Sequence, residues 1–98
     1  MSDNKVTVLA KITIKPEKNT DAKAALLQLA KNTKSEKGCI SYDLHQDTKE
    51  DTVYFFYEKW ESQEDLDNHI NHQNITDFKA ATKDAILNLE MNTLEVIS

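Results

Sequence analysis

The sequence predicts an α+β fold: one four-stranded antiparallel sheet with helices on one side, in the order β-α-β-β-α-β. Three observations predict it. Residues 52–60, TVYFFYEKW, are the most aromatic run in the chain and read as a central strand, with Tyr54, Phe56, Glu58 and Trp60 on one face and Val53, Phe55, Tyr57 and Lys59 on the other. Residues 5–14 alternate in the same way, whereas residues 22–33 repeat their apolar side chains at helical spacing. Both faces of the central strand are largely apolar, although a small sheet with helices on one side normally turns a polar second side to water. Leaving Phe55 and Tyr57 in solvent forgoes roughly 1.5–3 kcal/mol apiece. The sequence therefore predicts that a second copy of the chain covers the helix-free face, giving a homodimer.

Taken in order, Val6, Val8, Ala10, Ile12 and Ile14 share one face of the first strand, and Pro16 ends it. Asn19, Thr20 or Asp21 can cap the helix that follows, whose buried side is Ala22, Leu26, Leu29, Ala30 and Thr33. Gly38, the sole glycine, supplies the positive φ that returns the chain to the sheet. Residues 39–46 form the second strand, and the polar DTKED segment at 47–51 is a hairpin into the third. Ser62 caps a short helix with Asp65 reaching back to it, and Leu66 and Ile70 are its buried side. After a break near Asn71–Asn74, helical spacing resumes at Ile75 and Phe78 and runs through Thr82, Ala85, Ile86 and Leu89, which leaves residues 92–97 as the fourth strand. This split β-α-β-β-α-β order is the ferredoxin-like arrangement.

With 98 residues, 39% hydrophobic and 30% charged, the chain is expected to form a single domain, 1–98, with a real core. A net charge of −5, with Lys and Glu interspersed, speaks against nucleic acid or an anionic membrane as partner. The longest uninterrupted apolar run, Val53–Tyr57, is far short of a membrane span, and the N-terminal MSDNK lacks the pattern of a secretory leader. A single cysteine, Cys39, has no internal disulfide partner, which fits a cytoplasmic setting.

The combination GCISYDLHQD, then YFFYEKWES, then a helix carrying NHINHQNITDF resembles the antibiotic biosynthesis monooxygenase (ABM) superfamily along nearly the whole chain, from Val6 to Val96. Gly38, Tyr42, Glu58, Trp60 and His69 match its pattern. Where many relatives carry a second histidine followed by an aromatic, this chain has Asn74–Ile75, with a histidine displaced to His72. The resemblance implies a dimeric α+β barrel and a cofactor-independent monooxygenase acting with O₂ on a small electron-rich aromatic such as a quinol. The superfamily also contains isomerases of small hydroxyketone signal molecules and proteins of unassigned substrate, so a non-catalytic metabolite-binding or stress role stands beside them. Its haem-degrading branch is not matched: the haem-ligating histidine falls at Thr82 and the catalytic asparagine at Ala10, so no haem is expected.

Among the residues that can carry chemistry, His69 is the first choice for a general base and His45 the second, because an imidazole near its ordinary pKa suits an acidic phenol or an enolisable carbonyl. Each also reads as a half-exposed or solvated surface residue. Trp60 either lines a pocket and packs on a planar substrate or is simply core, and Phe56, Tyr42 and Leu66 are expected around it. Glu58 is either a pocket base or half of an ion pair with a lysine of the first helix; the paired reading leads, because an unpartnered buried carboxylate is costly. Asn74 can bond a substrate carbonyl or cap the last helix, and the cap is favoured. His69 and His72 have no companion third ligand, so no metal is expected. With neither a glycine-rich phosphate loop nor a nucleotide fingerprint, a bound flavin or nicotinamide is not indicated.

Overall fold

A computed structural model describes residues 4–98, so the first three residues of the MSDNK stretch lie outside the described residues. The elements are β1 (Val6–Ile14), α1 (Asn19–Thr33), β2 (Cys39–Gln46), β3 (Val53–Trp60), α2 (Gln63–Ile70), α3 (Gln73–Ala81) and β4 (Ile86–Leu94). The strands form one antiparallel sheet in the order β2-β3-β1-β4, the expected ferredoxin-like topology, with a third helix because the predicted break separates α2 from α3. No helix among the described residues is long and apolar enough to cross a membrane.

Register follows from the alternation. β1 pairs with β3 so that Val8 faces Glu58, Ala10 faces Phe56 and Ile12 faces Tyr54, and on its other edge Ala10 meets Met91 and Ile12 meets Leu89. These residues share the helix-covered side. Val8, Ile12, Ile14, Tyr54, Phe56 and Trp60 are buried there against Leu26 and Leu29 of α1 and Leu66 of α2. At roughly 1.5–3 kcal/mol for each large apolar side chain, this layer dominates the stability of the fold. On the helix-free side Leu9 and Phe55 are half-buried, while Tyr57 remains 38% exposed.

Two turns behave as the sequence predicts. Gly38 has φ +82°, and a side chain there would collide with the carboxyl group of Asp65. Asp65 is itself fixed: its backbone N–H donates to Ser62 Oγ at 3.1 Å, while that hydroxyl donates to Asp65 Oδ2 at 3.1 Å. One glycine thus lets the loop before β2 lie against the capped start of α2.

Three local expectations are corrected. No side chain caps α1, which continues out of a 3₁₀ turn at Pro16–Lys18; Asn19 instead accepts from the Tyr54 hydroxyl and donates to Asp51 O, tying the helix start to β3. The last helix stops at Ala81 rather than running to Leu89. The Thr82 hydroxyl donates back to Phe78 O at 2.7 Å, Asp84 takes a left-handed φ of +67°, and Ile86–Leu94 pairs with β1 as β4, earlier than the predicted strand 92–97. The apolar spacing Ile86–Leu89 looks helical, but Leu87, Leu89 and Met91 also alternate, and pairing with β1 decides between the periods. Ile70, expected to be buried, is 38% exposed.

Candidate active site

Beneath the helices the sheet does not meet them everywhere. A cavity of about 280 Å³ lies between β1, β2, β3 and β4 on one side and α1, α2 and α3 on the other. Its walls are mainly apolar, with Ala10, Ile12, Phe56, Ile75, Phe78 and Ile86 among them; its polar groups are Tyr42, Glu58, His69 and Lys79. The lining residues Ile70, Leu89 and Met91 are 38%, 55% and 49% exposed, and Lys79 is exposed too, so the cavity opens along the β4 edge, beyond the cover of the helices. A small, mostly apolar hollow with a few convergent polar groups is the usual form of a small-molecule site. A wider depression at the β2–β3 hairpin, lined by residues such as Asp47, Thr48 and Lys49, gathers no buried polar group of this kind.

His69 reaches the cavity from the last turn of α2. It is 4% exposed, its ring is 4.7 Å from the Trp60 ring between centroids and 5.2 Å from the Tyr42 ring, and its Nδ1 lies 3.0 Å from Glu36 Oε1. Glu36 is nearly buried and accepts on both oxygens, the second from Asn74 Nδ2 at 2.8 Å. A carboxylate used as an acceptor fixes the histidine proton on Nδ1 and leaves the Nε2 lone pair free. Burial lowers the His69 pKa, partly offset by the bond to Glu36 and the Glu36 charge, which favours the neutral imidazole.

Glu58 is 3% exposed, and among the described residues no lysine of α1 pairs with it, which corrects the expected ion pair. Its Oε1 accepts from Trp60 Nε1 at 2.9 Å; among the described residues its other oxygen has no partner, and it is not sealed from the cavity. Burial raises its pKa to about 7, the Trp60 hydrogen bond opposing this and the nearby Glu36 adding to it. Tyr42 is buried, stacks on Phe56 at 4.6 Å and is held protonated, its pKa raised chiefly by burial and then by Glu58 and Glu36. The cavity therefore holds a bare imidazole nitrogen and a carboxyl group poised between its two protonation states. Among the described residues no three His, Cys, Asp or Glu side chains converge as a metal would require.

The remaining candidates fall elsewhere. Trp60 does not line the cavity; it is wholly buried behind it, holding Glu58 and stacking on His69. Leu66 is core. Asn74 neither lines the cavity nor caps α3. The cap is His72, whose Nδ1 accepts from Asn74 N, while the Asn74 amide supports Glu36. His45 lies on the helix-free face, exposed, with its Nδ1 3.2 Å from Asp43 O rather than from the Asp43 carboxylate; β2 alternation puts it opposite Tyr42. Glu36 was not identified as a site residue from sequence. It stands 33 residues before His69 in a loop, and its position two residues ahead of the sole glycine is the only local mark it carries.

A model of the antibiotic biosynthesis monooxygenase family matches residues 5–81. An uncharacterized protein of Synechocystis sp. is 29% identical over 87% of this chain; the chain spans 58% of that relative's length. Among solved structures, a Pseudomonas aeruginosa protein superposes with a TM-score of 0.91 at 24% identity, covering 100% of this chain and 99% of that one. A Nitrosomonas europaea protein, provisionally named an antibiotic biosynthesis monooxygenase, gives 0.90 at 14% identity, covering 99% and 94%. At these identities the structures establish the shared fold alone. The family match reaches across most of the chain and takes in Gly38, Glu36, Tyr42, Glu58, Trp60 and His69, and the chain belongs to the antibiotic biosynthesis monooxygenase family.

Proposed function

We propose that the protein is a monooxygenase that needs neither metal nor organic cofactor and acts on a small electron-rich aromatic such as a quinol. The observation that carries this reading is His69 Nδ1 3.0 Å from the nearly buried carboxyl group of Glu36, an arrangement that suits a ring proton on Nδ1 and Nε2 as the base beside an apolar cavity. His69 Nε2 takes a phenolic proton, and the phenolate passes one electron to O₂. The resulting organic radical and superoxide combine through a new C–O bond, and loss of water leaves a hydroxylated quinone. One oxygen atom enters the ring and the other leaves as water, the quinol supplying all four electrons. Phe56, Ile75 and Phe78 keep bulk water from the radical pair. Incubating the purified protein with a panel of hydroquinones under an oxygen electrode tests the reading. Turnover above autoxidation is expected, falling about a hundredfold or more in His69→Gln. Rates no better than autoxidation, or equal in the variant, would overturn it.

A second reading is favoured by one observation, the carboxyl of Glu58 in the same cavity as His69. A base and an acid on one substrate suffice to move a proton along a hydroxyketone, which needs no oxygen. Conversion of a hydroxyketone at an undiminished rate under anaerobic conditions would select this isomerase over the oxygenase.

The helix-free face supports the proposal of a homodimer. Leu9, Phe55 and Tyr57 lie adjacent across β1 and β3, ringed by Lys11, Asp43, His45 and Lys59, which is the apolar-centre, polar-rim pattern of a protein interface. A monomer by sedimentation at micromolar concentration would contradict it.

A further inference from the structure

We infer that the cavity selects a neutral substrate with two oxygen functions, one held at His69 Nε2 and the other at the free carboxyl oxygen of Glu58, and that Glu58 turns away carboxylated aromatics. The inference rests on the cavity being the substrate site, whichever reaction it runs. Trp60 joins the two groups: its indole N–H bonds Glu58 and its ring lies 4.7 Å from that of His69, so one buried side chain sets both around the same hollow. The second oxygen of Glu58 lies in a wall that also carries Ile12, Phe56 and Phe78, and among the described residues no side chain or backbone group bonds it.

A substrate hydroxyl satisfies Glu58 in either state, donating to the carboxylate or accepting from the acid. A substrate carboxylate has no proton to give and meets an uncompensated like charge in a water-poor site. Glu36, behind His69, adds a second acidic group. The lone cation of the lining, Lys79, sits exposed at the mouth, where solvent screens it.

The groups facing Glu58 are Cys39 and Tyr42 from β2, Glu36 from the preceding loop, His69 from α2 and Lys79 from α3; the lining residues of β1 and β4 are apolar. Burial holds Cys39 up at about 11 and Tyr42 higher, and His69 is held down, so between pH 6.5 and 8.5 Glu58 is the shifted group that changes state.

The single tryptophan, Trp60, reports binding by its own fluorescence, and work without oxygen keeps turnover out of the measurement. Hydroquinone is expected to quench it with a Kd at least about tenfold lower than 2,5-dihydroxybenzoate at pH 8. Phenol, with one oxygen function, is expected to bind several-fold more weakly than hydroquinone. The gap between hydroquinone and the benzoate is expected to close by about fivefold at pH 6.5, and to the same degree at pH 8 in Glu58→Gln. The wild-type pH series stands by itself should the variant fold poorly. Equal affinities, a gap indifferent to pH, or no quenching by hydroquinone would overturn the inference. Binding with this pattern but no oxygen uptake would sink the oxygenase reading and leave the inference standing.

Discussion

The two faces of the sheet are cut from the same alternating strands, yet they treat polar atoms in opposite ways. On the helix-covered face Glu58 and His69 are buried, and among the described residues each has one side-chain atom without a partner, turned to the cavity. On the helix-free face Lys11, Asp43, His45 and Lys59 stand around Leu9, Phe55 and Tyr57, with their polar groups in or near solvent. Holding a polar atom unbonded in a mostly apolar hollow costs up to roughly 1–3 kcal/mol, so a fold keeps one where it is useful, whereas a rim of hydrated polar groups costs little. The difference separates a site for a small guest from a surface suited to a second copy of the chain.

That separation can be broken in several ways, beginning with the largest effect. Glu36→Gln presents an amide that can donate to Nδ1 and push the proton onto Nε2; turnover of any accepted hydroquinone is then expected to fall about a hundredfold or more with little change in fold. Circular dichroism beside the rate assay checks both halves. Gly38→Ala forces a side chain into a left-handed turn and onto Asp65, and is expected to cost about 2–4 kcal/mol in a denaturant melt.

Glu58→Gln sharpens the contrast through pH. The carboxyl has a folded pKa of about 7 against an ordinary value of 4.5, so between those values the folded state holds a proton that the unfolded chain has lost, and its contribution to stability declines as pH rises. Wild type is therefore expected to trail the variant by about 2–3 kcal/mol at pH 8 and to draw level by pH 4.5. His69, with a lowered pKa, acts in the opposite sense: it costs stability as pH falls below 6.5, equally in both proteins. Equal melting curves at pH 8 would show that Glu58 is not strained by burial.

On the other face, Phe55→Asp is expected to convert a dimer to monomer in sedimentation while leaving Trp60 fluorescence unchanged. His45→Ala, a rim residue, is expected to change stability by less than about 0.5 kcal/mol and turnover not at all.

Much of the fold was legible because it depends on local patterns: period two in residues 6–14 and 53–60, the positive φ that only Gly38 supplies freely, and the Ser62–Asp65 cap. β4 was misread because Ile86 and Leu89 satisfy helical spacing until β1 offers them hydrogen bonds. The site was legible in part. His69, Tyr42, Phe56 and Glu58 were singled out and do meet in one cavity. His45 was not separable from His69 by residue type alone, and only strand parity sends it to the wrong face. Glu36 and the supporting place of Asn74 depend on contacts 33 and 38 residues apart in sequence, which no local spacing encodes.

Nitrogen NMR of the His69 imidazole at pH 7 tests the central claim most directly. The account predicts a neutral ring with its proton on Nδ1 and a bare Nε2, the assignment reversing or blurring in Glu36→Gln. A ring protonated on both nitrogens, or a proton resting on Nε2 in the wild type, would contradict it.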